Sequence, residues 1–306
     1  MSDYLLILRQ ESVEHGESGW HWLVLSADGG VKDRGSGALR DALAVYQRCE
    51  PAPAIILLAP GNKVLLSELK LSREQQRHLK QVLPFLVEEK LVDDIEDVHI
   101  ATGPRGAEGT LPIAVVSHVE LINWLDQLYS AGLPPSRVVP ETLALPWDSG
   151  RVTVWLSPEQ CLVRYGCRRA MACDVQNLAL VLIDICSPRQ RGDAEGQPTL
   201  IELLHGDEPG SDQLAAQSLE QWRVLTAEEG GQFPALRIVH SQWPLIERLG
   251  RQLVSELPSA FDLLQGGYAV NLRHGDRRAI NVRRVSLGIA ASVLAVSYTH
   301  LRAHET

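Results

Sequence analysis

The sequence lacks the short motifs that mark the common catalytic and nucleotide-binding sites. It contains no G-x-x-x-x-G-K-[ST] phosphate loop, no G-x-G-x-x-G turn, no H-E-x-x-H zinc pair and no G-x-S-x-G nucleophile turn. Gly61-Asn62-Lys63 partly matches a phosphate loop, but the second glycine and the magnesium-binding Ser or Thr are missing, so we predict a plain turn. The clusters Gly35-Ser36-Gly37 and Gly230-Gly231 lack the spacing of a nucleotide cradle in the same way. We therefore expect no catalytic residue and no cofactor.

The cysteines do not have the spacing of a metal site. There are five, and the six-residue steps between Cys161, Cys167 and Cys173 differ from the C-x2–4-C pairs of structural zinc sites. The first nine residues have no basic segment and no small-residue cleavage site, so they do not read as a signal peptide. We expect reduced thiols in a cytoplasmic body, and we interpret His99 and His118 as surface or core histidines rather than ligands.

Positive charge is scarce outside one short segment. The net charge is −9, yet five arginines against one acid lie between Arg273 and Arg284. An acidic body of this kind excludes the broad basic face that nucleic-acid binding needs.

Periodicity predicts an α/β chain of two similar halves, each rich in strands first and mixed afterwards. Alternating or continuous apolar runs predict strands, and 3.6-residue spacing predicts helices. Ser72 and Gln75 form a capping box for a helix that runs to Val87 and that Pro84 should kink. The predicted strands are Tyr4–Leu8, Trp20–Leu25, Val31–Arg34, Ala54–Ala59, Val64–Leu69, Ile113–Ser117, Arg137–Val139, Val152–Leu156, Gln160–Tyr165, Leu200–Leu204 and Arg237–Val239. The other predicted helices are Ala38–Arg48, His118–Ala131, Val175–Cys186, Asp212–Gln221 and Trp243–Glu256, and Ser187–Pro198 is predicted to be a loop.

An acidic stretch follows the capped helix. A charge run of this type is either a solvated face or a surface for a basic partner, and the sequence leaves both readings open. Its members are Glu88, Glu89, Asp93, Asp94, Glu96 and Asp97.

Several ordered segments resemble the type II secretion system protein L family, an inner-membrane platform component. The resemblance covers roughly residues 4 to 295, and it depends on the order of the segments more than on any single motif. They are Val82–Glu89 (VLPFLVEE), Ala114–Val116 with Trp124-Leu125, Gly132-Leu133, Val139–Pro146 (VPETLALP) and Asn271–Gly275 (NLRHG).

This resemblance implies an actin-like, RNase H-related α/β fold of duplicated architecture, joined by one transmembrane helix to a periplasmic domain. It also implies a scaffold that recruits the cytoplasmic secretion ATPase (protein E) and reaches protein M of the inner membrane, with a homodimer expected. In ATP-binding relatives of this fold, D-x-G turns after the first strand of each half hold the phosphates. Here those strands run into Arg9-Gln10 and Ser157-Pro158, while D-x-G at Asp28–Gly30 lies a strand too late and D-x-G at Asp148–Gly150 lies just before its strand. A scaffold without enzymatic activity is therefore favoured, and an active actin-like ATPase or a sugar-kinase-type enzyme is the alternative.

The end of the chain predicts a membrane anchor that is cut short. Val285–Ala295 is apolar and uncharged, but a membrane span needs about 20 such residues. The arginines before it place that side in the cytoplasm of a single-pass inner-membrane protein by the positive-inside rule. Residues 296–306 match one reading frame of a transposase-based sequencing adapter, and we interpret them as foreign to the natural protein. The topology arginines are Arg277, Arg278, Arg283 and Arg284. The expected division is 1–145 and 146–272 for the two halves, 273–284 for the basic segment, 285–295 for the start of the helix and 296–306 for the adapter.

Overall fold

Two five-stranded mixed sheets and one three-stranded sheet carry the fold. The computed structural model describes residues 4–10, 19–91, 94–106, 109–187, 198–229, 233–257 and 260–269. The strands are β1 (Tyr4–Gln10), β2 (Trp20–Ser26), β3 (Val31–Gly37), β4 (Ala54–Ala59), β5 (Val64–Lys70), β6 (Val98–Thr102), β7 (Thr110–Ser117), β8 (Arg137–Pro140), β9 (Arg151–Leu156), β10 (Cys161–Arg164), β11 (Ala170–Cys173), β12 (Leu200–His205) and β13 (Ala235–His240). The helices are α1 (Leu39–Arg48), α2 (Arg73–Arg77), α3 (Leu79–Glu88), α4 (His118–Ser130), α5 (Leu178–Cys186), α6 (Ser211–Glu229) and α7 (Leu245–Glu256).

The two large sheets repeat one topology. The first has the order β3-β2-β1-β4-β8, and the second has the order β11-β10-β9-β12-β13. In each, the first three strands in the chain form antiparallel hairpins, the fourth strand pairs in parallel with the first, and the fifth pairs in parallel with the fourth. This repeat confirms the predicted α/β fold of duplicated architecture. The domain boundaries at 145 and 272 stay predictions.

Strand β4 shows why a continuous apolar run belongs at the centre of the first sheet. Successive side chains of a strand point to opposite faces. Ile55 and Leu57 lie in one hydrophobic core with α1 and α4, whereas Ile56 and Leu58 lie in a second core with α7. Because helices cover both faces, no position of β4 needs a polar residue, as is typical of parallel strands.

A small subdomain is inserted between β4 and β8. It consists of the sheet β5-β7-β6 with α2 and α3. The Ser72 capping box is present, with Gln75 N–H donating to Ser72 Oγ over 3.2 Å. The single kinked helix predicted here is wrong, because the helix breaks at His78 and Pro84 lies inside α3. A proline ring clashes with the carbonyl four residues before it, which places the distortion upstream of the proline.

Two strands were missed by the prediction. They are β6, which contains His99, and β11, which has the sequence Ala-Met-Ala-Cys. Alanine is depleted in strands, so β11 owes its conformation to its pairing with β10.

The chain returns to the first half after β13. Helix α7 packs on the first sheet so closely that a Cβ on Gly250 would lie 2.5 Å from Leu23 Cδ2. Residues 260–269, called here the C-terminal strap, then cross the edge strand β8, where Leu263 N–H donates to Val138 O over 2.8 Å. The first sheet is thus covered by segments from both ends of the chain.

Several expectations fall outside the described residues: the basic segment with its arginines, the apolar run 285–295, residues 296–306 and most of the predicted loop 187–198. Within the part of the chain that the structure describes, no helix has the length and apolar character that crossing a membrane requires.

Candidate functional site

The candidate site is a cleft of about 1290 Å³ between the two halves. The carboxyl ends of β1 and β4 reach one side of it, and the turn after β9 reaches the other. In open α/β sheets, ligands bind beyond the carboxyl ends of parallel strands. The lining is largely polar and includes Gln10, Asn62, Lys63, Glu120, Glu159 and Asp174.

A buried carboxylate beneath this cleft connects the ends of three strands of the first sheet. Glu141 follows β8, is 1% exposed and accepts a bond of 2.7 Å from Arg9 Nε at the end of β1. Its second oxygen accepts the Gly61 N–H after β4 over 2.8 Å. Because the ends of three parallel strands are bonded to one another here, the Gly61 amide has no hydrogen left for a phosphate. The predicted turn at Gly61–Lys63 is confirmed as a 3₁₀ turn.

The D-x-G sequences at Asp28–Gly30 and Asp148–Gly150 lie at the opposite ends of their sheets from the cleft, and a third, Asp33–Gly35, lies within the edge strand β3 and not in a turn. Strand β2 runs antiparallel to β1 with Gln10 opposite Trp20 and Tyr4 opposite Ser26. The turn after β2 that contains Asp28 is therefore at the other end of the sheet. Asp28 is engaged within that turn, where the bonds from the Ser26 hydroxyl and the Gly30 N–H lower the pKa of its carboxyl. Asp148 likewise precedes β9 instead of following it.

The charge of the cleft opposes a phosphate ligand. Its one lysine, Lys63, is paired with Glu120 over 2.7 Å, and Glu159 and Asp174 add two further acids. A nucleotide would bring its phosphates against an excess of negative charge in a partly enclosed space. Among the described residues, no group of three His, Cys, Asp or Glu side chains is arranged to hold a metal ion.

The predicted acidic residues lie on the small subdomain, away from the cleft lining. Glu88 and Glu89 end α3, while Asp94, Glu96 and Asp97 surround the 3₁₀ turn before β6. All five are exposed, whereas Asp93 lies outside the described residues. The acidic stretch thus divides into two groups, one at the end of α3 and one just before β6.

A neighbouring aromatic residue was missed by the prediction. Phe85 is 71% exposed, although phenylalanine is normally buried. Leu79, Leu83, Leu86 and Val87 face the core of the subdomain, whereas Phe85 lies on the opposite side of the helix with Gln81 and Glu88. A phenylalanine on the polar side of an amphipathic helix was therefore the sequence signal that could have identified this exposed residue. We call Gln81, Phe85, Glu88 and Glu89 the α3 surface.

Comparisons with known proteins agree on one family. The sequence model described as "Type II secretion system (T2SS), protein L" matches residues 6–192, which is more than half of the chain. The chain is 32% identical to the type II secretion system protein L of Pseudomonas aeruginosa over 230 residues, 73% of this chain and 57% of that protein. It is 29% identical to the Vibrio cholerae protein of the same name over 161 residues, 52% of this chain and 39% of that protein. The chain thus spans about half the length of these relatives.

A solved structure has the same fold. It is the cytoplasmic domain of EpsL, an inner-membrane component of the type II secretion system of Vibrio cholerae. The match has a TM-score of 0.62 at 23% identity and covers 87% of this chain and 99% of that domain.

Proposed function

The chain belongs to the type II secretion system protein L family, and from that premise we propose that it is a non-enzymatic scaffold of the inner-membrane platform. In this proposal its body lies in the cytoplasm and recruits the secretion ATPase (protein E). The anchor predicted at 285–295 fixes it in the membrane, where protein M and a second copy of the chain are its further partners. The α3 surface is the observation that carries the recruiting role.

The α3 surface has the composition of a docking site. Phe85 offers an apolar side chain that the described residues leave 71% exposed, and aromatic side chains dominate the binding energy of many interfaces. Glu88 and Glu89 surround it with negative charge, so the complementary partner has an apolar pocket with a basic rim.

The position of these acids in the helix adds to the argument. Carboxylates at a helix C-terminus oppose the helix dipole, and the last turn of α3 has no basic residue to compensate. Glu88 and Glu89 therefore do not stabilise the free helix. A basic partner would relieve this unfavourable interaction, which makes a binding role a reason for their placement.

The cleft argues against the alternative of an ATPase or sugar kinase. Relatives that bind ATP need D-x-G turns at the strand ends, and here those positions carry Arg9-Gln10 and Ser157-Pro158. The Gly61 N–H is bonded to Glu141 and Lys63 is paired with Glu120, and the cleft lining carries an excess of acids, all of which disfavour phosphate binding.

Charge reversal on the α3 surface tests the proposal. We expect Glu88→Lys/Glu89→Lys to weaken capture of the cognate ATPase roughly tenfold or more at low salt, and Phe85→Ala to weaken it by a comparable factor. Binding isotherms of the full chain in detergent provide the measurement. The matched control is Glu228→Lys/Glu229→Lys, because these exposed acids also end a helix, α6, that has no basic residue in its last turn.

The reversed α3 variant should fold at least as well as the wild type, since lysine suits a helix C-terminus. A loss of binding with an unchanged melting temperature therefore reports on the interface. Equal loss in the α6 control, or no loss in the α3 variants, would refute this docking surface. Stabilisation of the chain by magnesium-ATP in a thermal-shift assay would refute the scaffold reading itself.

A further inference from the structure

Two cysteines lie directly opposite each other on neighbouring strands. In the antiparallel pair β10–β11, Cys161 is in register with Cys173. Opposed side chains of an antiparallel pair point to the same face. Both residues accordingly belong to the hydrophobic core that the second sheet shares with α5 and α6. Their Cα atoms are expected about 4.5–5.5 Å apart, which is within the range that a disulfide spans.

The two thiols differ in their access to solvent. Cys161 is fully buried at 0% exposure, whereas Cys173 is partly exposed and lines the cleft between the halves. Strand β11 is also the edge strand of its sheet and packs against the Gly61–Lys63 turn of the first half. A reagent can therefore reach one sulfur of the pair from the cleft, with the second sulfur directly behind it.

The interaction of the two thiols separates their acidities. The Cys161 thiol donates a hydrogen bond to the Cys173 sulfur, which raises the pKa of Cys161, and burial raises it further. The same hydrogen bond lowers the pKa of Cys173. The thiolate is the reactive form of cysteine, so the accessible member of the pair is also the nucleophilic one.

We propose that Cys161 and Cys173 form a dithiol site that reacts through the cleft with low-molecular-weight disulfides such as oxidised glutathione. Nothing in the scaffold function requires this pair, so the proposal stands independently of it. The six-residue spacing of Cys161, Cys167 and Cys173 matches no metal site, and the structure pairs the outer two while leaving Cys167 exposed in the hairpin turn.

The reaction takes two balanced steps. The Cys173 thiolate attacks one sulfur of the small disulfide, forms a mixed disulfide and releases one thiolate, which takes up a proton from water. The Cys161 sulfur then attacks the Cys173 sulfur and displaces the second small thiol, to which the Cys161 proton passes. Both cysteines are oxidised and the small disulfide is reduced to two thiols. The product joins β10 to the edge strand β11 and fixes the wall of the cleft against the Gly61 turn.

Peptide mapping of the full chain after treatment with oxidised glutathione tests the site. Trypsin cleaves after Arg164 and Arg169, which separates the two cysteines. A Cys161–Cys173 disulfide therefore joins the peptides 152–164 and 170–189 under non-reducing conditions, and fragment ions must place the link at Cys173, because Cys186 lies in the same peptide. We expect this peptide in the wild type and in Cys167→Ser, the matched control that removes the most exposed thiol.

Cys161→Ala separates the two roles. Without the second thiol, a stable glutathione adduct should accumulate on Cys173. Loss of the hydrogen bond should also raise the pH midpoint for alkylation of Cys173 by iodoacetamide, and slow the reaction roughly three- to tenfold at pH 7. The mapping of the wild type and Cys167→Ser decides the question even if Cys161→Ala folds poorly.

Two results would overturn the proposal. One is modification confined to Cys167, with no joined peptide in the wild type. The other is alkylation of Cys173 at the same rate in the wild type and in a folded Cys161→Ala.

Discussion

Glu141 and Gly61 illustrate how single residues join the ends of three strands beneath the cleft. The carboxylate accepts bonds from Arg9 and from the Gly61 amide, so groups that face solvent or ligand in an open site are consumed within the fold. A Cβ on Gly61 would lie 2.6 Å from Thr142 Cγ2 of the same half, and 3.1 Å from Ala172 Cβ and 3.2 Å from Leu162 Cδ2 of the second half. Only the absence of a side chain allows this contact between the halves.

A methyl group added at Gly61 should therefore disturb the packing between the two halves. We expect Gly61→Ala to lower the free energy of unfolding by about 1–3 kcal/mol, because backbone and edge strand must move to accommodate the Cβ. Gly267→Ala is the control, since a Cβ there meets no atom within 4 Å, and its effect should stay within about 0.5 kcal/mol. Urea unfolding of both variants measures the difference. Equal stabilities would show that the halves do not depend on contact at Gly61.

At the scale of elements, the C-terminal strap is held by two histidines of the first half. His99 Nε2 lies 2.8 Å from Leu263 O, and His118 Nδ1 lies 2.6 Å from the Tyr268 hydroxyl. Burial lowers the pKa of both imidazoles. For His99, the Leu263 carbonyl partly opposes this shift and the neighbouring His118 adds to it. For His118, the negative charge of Asp97 partly opposes the shift. Burial raises the pKa of Tyr268. The strap is thus built for neutral imidazoles.

This arrangement predicts that acid weakens the strap. Since the folded pKa of each histidine lies below its ordinary value of 6.5, the unfolded chain binds more protons under mildly acidic conditions. Stability should be full above pH 6.5 and fall as the pH drops through the folded pKa values. Hydrogen exchange at Leu263–Tyr268 should be faster at pH 5.5 than at pH 7.5, after correction for intrinsic rates. His99→Gln keeps a donor for Leu263 O but cannot titrate, so it should reduce this pH dependence.

The exposed His78 provides the comparison for that measurement, because it lies at the break between α2 and α3 and not against the strap. His78→Gln should leave the pH dependence unchanged. A pH dependence that is the same in His99→Gln as in the wild type would exclude this histidine as its source.

The elements differ in how far their sequences determine them. Apolar runs such as β4 and the capped start of α2 were predicted correctly, because burial and capping act through neighbouring residues. Strand β11 was missed because its conformation depends on the distant partner β10. For the same reason, no local pattern could place α7 on the first sheet or bring Glu141 to Arg9 across 132 residues of chain. The absence of D-x-G after the first strand of each half could be seen in the sequence. The exposure of Phe85 was recognised only once the structure showed which face of α3 is buried.

At the scale of the whole molecule, the two halves are interlocked. One hydrophobic core combines Ile7 and Leu58 of the first sheet with Trp155 of the second and Leu249 of α7. Arg164 of β10 joins the same regions through polar contacts. It is 2% exposed and donates to the carbonyls of Leu143 and Leu145, while its Nη2 pairs with Glu256 at the end of α7 over 3.0 Å.

Because of this interlocking, we expect the body to unfold as one unit despite its duplicated architecture. Tryptophan fluorescence reports on both halves, through Trp124 in the first and Trp222 in the second, while far-UV circular dichroism reports on all helices. The two urea transitions should coincide, as they do for a two-state protein. Arg164→Met should lower the urea midpoints of both curves together and the free energy of unfolding by roughly 2–4 kcal/mol, since the carbonyls of Leu143 and Leu145 lose a buried donor and the ion pair with Glu256 is lost. Arg223→Met is the control. That arginine is exposed on α6, and its ion pair with the likewise exposed Glu220 has a distance of 3.9 Å and contributes little to stability. Separation of the fluorescence and dichroism curves in Arg164→Met would mean that the halves fold independently and that Arg164 merely links them.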